Sequence, residues 1–263
     1  MSQIPEVCYV TAYTEIGRDK WKHYERTFGH YKSYFSHYLK FDVDMIIYID
    51  ERYYDEMTIM LQNKPKFKLI KINDDFLKKN IFAWSLIDRE REIMKSESYQ
   101  SIIKHRLKHP ENTIPEYNIT VHSKIDFVNY TIDNKLSPAK FYAWTDFGYF
   151  KYIENVPEKP ININKFDKTK LTFSTVNPIE PSDKDIIFTL TYAPSRIDGG
   201  FFFGSIAIMK QFQKMYHDVL IYFQKNNFAD DDQHIVLQCY FRNPSLFKLY
   251  VAEWSRAWLI HSQ

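Results

Sequence analysis

The strongest constraint on this chain is a set of short apolar runs separated by segments of helical period. Residues 7–13 (VCYVTAY), 44–50 (DMIIYID) and 67–72 (FKLIKI) each have the length and composition of a buried strand. Between the first two, Trp21, Tyr24, Phe28, Tyr31, Phe35 and Tyr38 recur at helical spacing, which predicts a helix with Gly29 as its weak point. Strand, helix, strand, helix, strand requires crossover connections. The expected product is an α/β fold with a central, mainly parallel sheet.

Residues 74–118 break this rhythm. They are charged, helical at first, then loop-like near Pro110 and Pro115, and they read as an insertion covering one end of the sheet. Val121, Ile125, Val128 and Ile132 then mark one helix face. KFYAWTDF predicts a fourth strand, KLTFSTV a fifth, and IDGGFFFGSIAI a glycine-rich turn into another strand. Met209, Phe212, Tyr216, Val219 and Phe223 fall in register on an amphipathic helix, and DDDQHIVLQCYF opens one more. With no repeat and no low-complexity linker, residues 1–263 are expected to form a single domain.

Composition removes several classes. Basic and acidic residues nearly balance, for a net charge of +2, so nothing demands nucleic acid. Two cysteines allow neither a disulfide framework nor a CxxC zinc pattern. The start, MSQIPEV, has no basic or apolar leader, and the longest nearly apolar run, 199–209, is too short to span a bilayer. A cytoplasmic protein without a transmembrane segment is expected.

Asp146-Phe147-Gly148 spells the magnesium-binding tripeptide of protein kinases. The rest of that signature is missing. There is no GxGxxGxV loop, no lysine strand of the VAIK type and no HRD-like loop before Asp146. A P-loop is absent too, since GK[ST] does not occur.

A carboxylate at a strand end has another use. In open α/β sheets ligands bind beyond the carboxyl ends of the strands, and a divalent cation can bridge a carboxylate to diphosphate oxygens. Asp146 stands at such an end, and Gly148 would let backbone approach a ligand. Asp198 beside Gly199 and Gly200 can floor a sugar site. Asp231 or Asp232, at a helix start, can serve as a base or meet acceptor hydroxyls, although Asp230 with Gln233 also reads as a capping box. Lys124, at the start of its helix, can reach a diphosphate, and Arg196 can pair with phosphate or with Asp198.

YNITVHSKIDFV, FYAWTDFGY, IDGGFFFGS and DDDQHI, in that order, resemble the HtrL/YibB family of GT-A-like glycosyltransferases over nearly the whole chain. The resemblance implies a single GT-A-like domain and a nucleoside-diphosphate sugar donor, UDP-linked, contacted by Thr11 and Tyr13. It also implies a glycan-type acceptor and a divalent cation, Mn2+ or Mg2+, held by Asp146. The chain departs from the DxD triplet of such enzymes, with Trp144 two positions before Asp146 and Gly148 two after. A late histidine serves as a metal ligand in some of them, and His261 is the candidate here. Two rivals stand beside this reading: a catalytically inactive GT-A-like binding module, and a sugar-nucleotide hydrolase or nucleotidyltransferase. The lack of a glycine-rich, basic triphosphate loop speaks against the nucleotidyltransferase.

Overall fold

The computed structural model describes residues 5–262. Seven strands, β1 (Val7–Tyr13), β2 (Asp44–Asp50), β3 (Phe67–Ile72), β4 (Phe141–Thr145), β5 (Leu171–Thr175), β6 (Ile197–Ser205) and β7 (Phe247–Val251), form one sheet in the order β3-β2-β1-β4-β6-β5-β7. β1 pairs in parallel with β2 and β4, β2 with β3, and β5 with β7. Only β6 runs antiparallel to its neighbours, β4 and β5. The α/β, mainly parallel sheet expected from the sequence is the one observed.

Alternation along each strand explains why the central runs are apolar throughout. Cys8 and Val10 of β1, Ile46 and Tyr48 of β2, and Tyr142 and Trp144 of β4 enter one core layer. Tyr9 and Tyr13, Met45, Ile47 and Ile49, and Ala143 enter the other. Helices α8 (Lys124–Asp133), α10 (Ile206–Lys225) and α11 (Asp232–Arg242) cover the first face. Helices α1 (Phe28–Ser36), α2 (Tyr54–Leu61) and α12 (Ala257–Ser262) cover the second.

Several local expectations change. The first helix begins at Phe28, not Trp21, because Thr27 caps it: its hydroxyl accepts from His30 N–H while the His30 ring accepts from Thr27 N–H. Residues 74–118 are helical nearly throughout, as α3 (Asp74–Asn80), α4 (Ile87–Lys95), α5 (Glu97–Ile102), α6 (Pro110–Thr113) and the start of α7 (Pro115–His122). The two prolines that suggested loop stand at helix starts, where a missing N–H costs nothing. α9 (Ile186–Tyr192) joins this block in a small third core with Tyr99 and Leu190. The glycine-rich turn is strand instead: β6 starts at Ile197 and contains Gly199 and Gly200. Sequence reasoning missed β7, an edge strand with only Phe247 buried.

The antiparallel course of β6 positions the site. Its first residues lie beside the last residues of β4, with Thr145 opposite Phe201 and Asp146 N–H donating to the Gly200 carbonyl at 2.9 Å.

Candidate functional site

A cleft of about 360 Å³ opens beyond the carboxyl ends of β1 and β4, within the usual range for small-molecule sites. Tyr13, Lys124, Asp146, Asp198, Gly199 and Asp232 all line it. Their convergence rests mainly on four elements. β4 delivers Asp146, β6 delivers Asp198 and the glycine pair, and the starts of α8 and α11 deliver Lys124 and Asp232.

Lys124 is the hub. Its ammonium lies 2.8 Å from Asp232 Oδ2, 3.1 Å from Asp146 Oδ1 and 3.0 Å from the Gly199 carbonyl, to which it donates. Burial alone would push this ammonium down, but Asp146 and Asp232 outweigh burial and hold it above the usual lysine range. The Asp146 carboxyl is raised by burial against the pull of Lys124. Its side chain keeps 39% of its surface exposed, so it still faces solvent in the cleft. Trp144 Nε1 donates to the same Asp146 Oδ1 at 2.7 Å. The tryptophan that replaces the first carboxylate of a DxD triplet thus acts as a donor to the remaining one.

The glycines are there for close approach. Neither has a positive φ. A Cβ on Gly199 would sit 2.3 Å from Asp232 Oδ2, and one on Gly200 would sit 3.0 Å from Asp198 Oδ1 and 3.3 Å from the Tyr149 ring. Asp198 is 4% exposed and accepts from the N–H groups of Gly200 and Ser255; burial raises its carboxyl and those two bonds oppose the rise. Gly148 also lines the cleft, yet the space its missing Cβ leaves is taken by the Tyr31 ring, 2.9 Å from where that Cβ would stand.

The three consecutive aspartates part company. Asp232 reaches the cleft. Asp231 is the N-cap of α11, its oxygens taken by the N–H and side chain of Gln233, and it does not line the cleft. The capping role expected of Asp230 therefore falls one residue later. Asp230 faces inward and meets His234 Nδ1 at 2.7 Å. Asp230, Asp231 and His234 bring their donor atoms within 4.8 Å of one another, close enough to hold a metal ion. As arranged, His234 Nε2 faces the Pro194 carbonyl and Nδ1 faces Asp230. A ring that donates at both nitrogens is an imidazolium with no lone pair for a metal. Burial opposes that charge, Asp230 outweighs it, and the His234 pKa is raised.

Three expected residues stand elsewhere. Thr11 is fully buried inside β1, and the cleft begins one residue later, at Ala12. His261 is caged by Phe166 at 4.2 Å and Tyr250 at 4.6 Å, outside the cleft lining, and burial lowers its pKa to about 4. It is not brought to Asp146. Arg196 pairs with the buried Asp183, not with Asp198. In their place the structure adds three cleft-lining cations that sequence reasoning passed over: Arg18, Arg26 and Lys151. Their only visible signal was position, in the segments that follow β1 and β4.

A mixed seven-stranded sheet with a carboxylate-lined cleft at its parallel strand ends is a GT-A-like α/β architecture. Within that class, residues 5–262 match the model of the HtrL_YibB family, described as bacterial proteins of unknown function, and the chain belongs to that family. Protein HtrL of Escherichia coli (strain K12) is 29% identical over 250 residues, 91% of this chain and 86% of its own. Among solved structures, mouse xyloside xylosyltransferase 1 in its apo form has a TM-score of 0.47 at 9% identity, over 94% of this chain and 85% of that one. The 4-diphosphocytidyl-2C-methyl-D-erythritol synthase of Anaerococcus prevotii DSM 20548 has a TM-score of 0.42 at 12% identity, over 96% and 89%. Among the described residues no helix is long and apolar enough to cross a membrane.

Proposed function

We propose that this protein is a glycosyltransferase that moves a sugar from a nucleoside-diphosphate donor, UDP-linked, to a hydroxyl of a glycan-type acceptor. The observation that carries the reading is the convergence of Asp146, Gly199, Asp232 and Lys124 in one cleft at the strand ends. Gly199 and Gly200 line the cleft where the sugar would lie, and Asp198 beside them is fixed by two N–H donors. Tyr13, at the end of β1, lines the part of the cleft assigned here to the base.

In the transfer, the bond from the anomeric carbon to the diphosphate oxygen breaks, and a bond to the acceptor oxygen forms. The acceptor hydroxyl gives up its proton, which the departing diphosphate oxygen accepts. Positive charge grows on the sugar ring as the leaving oxygen departs. Asp232 supplies negative charge beside that carbon. Lys124 stays protonated between the carboxylates and supplies positive charge for the leaving diphosphate. Of the two catalytic candidates in the sequence, Asp232 is favoured because it lines the cleft and Asp231 does not.

The resemblance also implies Mn2+ or Mg2+ at Asp146. The residues present do not fit that ion well. The Asp146 Oδ1 already receives Trp144 and Lys124, the neighbouring Asp232 carboxylate is held by the same Lys124, and the late histidine is caged elsewhere. No step is routed through a metal.

The test is a panel of nucleoside-diphosphate sugars with released nucleoside diphosphate as the readout, for the wild type and Asp232→Asn. Release that depends on an added acceptor and is lost in the variant supports transfer. Release of equal rate without acceptor favours a hydrolase, and pyrophosphate from nucleoside triphosphates favours a nucleotidyltransferase. Binding without release leaves an inactive binding module.

A further inference from the structure

Resting on the nucleotide reading above, we propose that the cleft carries its own cations and binds the nucleoside diphosphate without a divalent metal. The structure offers two independent observations for this, one at the floor of the cleft and one along its wall.

At the floor, the place between the carboxylates is taken by Lys124. Its three N–H bonds are matched by three oxygens at 2.8–3.1 Å, from Asp232, Gly199 and Asp146. A divalent ion ligated by Asp146 and Asp232 would have to share this space with an ammonium whose side chain is only 10% exposed. Coulomb repulsion between the two cations at such a separation is large in a half-dry cleft. One positive charge is thus already present between the carboxylates, fixed to α8.

Along the wall, Arg18, Arg26 and Lys151 have no carboxylate within ion-pair distance among the described residues. The acids near them are occupied. Glu15 receives the Tyr53 hydroxyl at 2.7 Å and the Gly17 N–H at 2.7 Å, and Asp198 receives two backbone N–H groups. Arg18 is held in place from one side by aromatic rings, its guanidinium 5.3 Å from the Trp21 ring and 6.0 Å from that of Tyr117. Half-buried cations that lack acidic partners, with Arg18 fixed by aromatics, suit an anionic ligand. Two phosphate groups can be held by arginine forks as well as by an ion.

Two measurements on the full chain test this. In the first, UDP is titrated calorimetrically into the protein in EDTA and again in Mn2+. The inference expects dissociation constants equal within about threefold, and at least about tenfold weaker binding in EDTA for Arg18→Ala/Arg26→Ala. Binding that appears only with Mn2+ overturns the inference and leaves the nucleotide reading standing. Unchanged affinity in the double variant overturns the role given to the arginines. No binding of UDP, GDP, CDP or dTDP in either buffer withdraws the nucleotide reading itself.

The second measurement needs no nucleotide. Mn2+ alone is titrated into the protein and followed by electron paramagnetic resonance. Wild type and Asp146→Asn should give the same signal, while Lys124→Met should gain a bound ion that Lys124→Met/Asp146→Asn loses. Mn2+ bound by the wild type and released by Asp146→Asn overturns the inference. That comparison decides the matter even if the lysine variants do not fold.

Discussion

Two ion pairs sit within one turn of each other at the start of α11, and they are built differently. Asp230 and His234 are sealed, with side chains 0% and 5% exposed and every polar atom of the pair matched inside the protein. Lys124 with Asp232 and Asp146 is open on one side, since Asp146 keeps more than a third of its surface in the cleft. The sealed pair anchors the helix that carries the open one. Glu90, on α4 and near enough to feel the Asp230 charge, is the limiting case: a buried carboxylate with two amide donors, Asn118 and Gln224, and no cation in bonding distance.

The largest effect should come from breaking the sealed pair. His234→Ala leaves Asp230 charged and buried, and equilibrium unfolding in urea should report a loss of about 3–5 kcal/mol. The pair also fixes a sign with pH. A histidine whose pKa is raised on folding stabilises fully below the ordinary histidine range, and that contribution fades as pH climbs through the folded value. The wild type should therefore lose its advantage over the variant on the alkaline side.

Glu90 follows the same pH direction for a different reason, since here the charged form is the one that burial disfavours. Burial raises its carboxyl from the usual 4.5 to about 7, so ionising it costs the fold about 3 kcal/mol. Glu90→Gln should gain on the wild type as pH rises from 4.5 to 7, and the difference should be flat beyond. A constant difference across that window would show that the amides alone carry the charge.

Gly199→Ala separates shape from charge at the open pair. The new methyl meets an Asp232 carboxylate that Lys124 holds in place. Displacement of a reacting group by about 1 Å costs on the order of a hundredfold in rate, so kcat/KM should fall by about that factor. Gly200→Ala, with its nearest contact at 3.0 Å, should fall less. If both variants keep wild-type turnover, Asp232 is not at the reacting centre.

The smallest stability change belongs to Asp146→Asn. Its carboxylate is half-exposed and Lys124 keeps Asp232 as a partner, so the loss should stay below that of His234→Ala, while donor affinity or turnover falls. A large stability loss with intact binding would reverse the contrast between sealed and open pairs.

Much of the fold was legible because apolar runs and helical periods are local. β1, β2 and β3 follow from strings of six or seven residues. The convergence at the strand ends followed in part, since β4 ends visibly at Asp146. What stayed hidden depends on rotation and distance. The string DDDQ cannot say which aspartate faces inward, which caps and which reaches the cleft; that is set by where α11 starts its first turn. Lys124 and Asp232 are 108 positions apart, and only the β6 reversal joins them. Thr11 missed the cleft by a single residue of strand length. His261 carries the right chemistry for a ligand, but packing between Phe166 and Tyr250 gave it to the core.

The bond from Ser255 N–H to Asp198, and the neighbouring Ala257 N–H bond to the Tyr149 hydroxyl, also set the order in which the molecule can be finished. Trp258 stacks on Tyr9 of the first strand at 4.7 Å. A chain still on the ribosome, with residue 250 just emerged, can pair most of its sheet but cannot yet fix Asp198 or close the layer around β1. β1 waits for residues of α12, distant in the sequence. Such wide sequence separation slows folding, and a chain that stops at residue 250 lacks the Ser255 N–H that fixes Asp198.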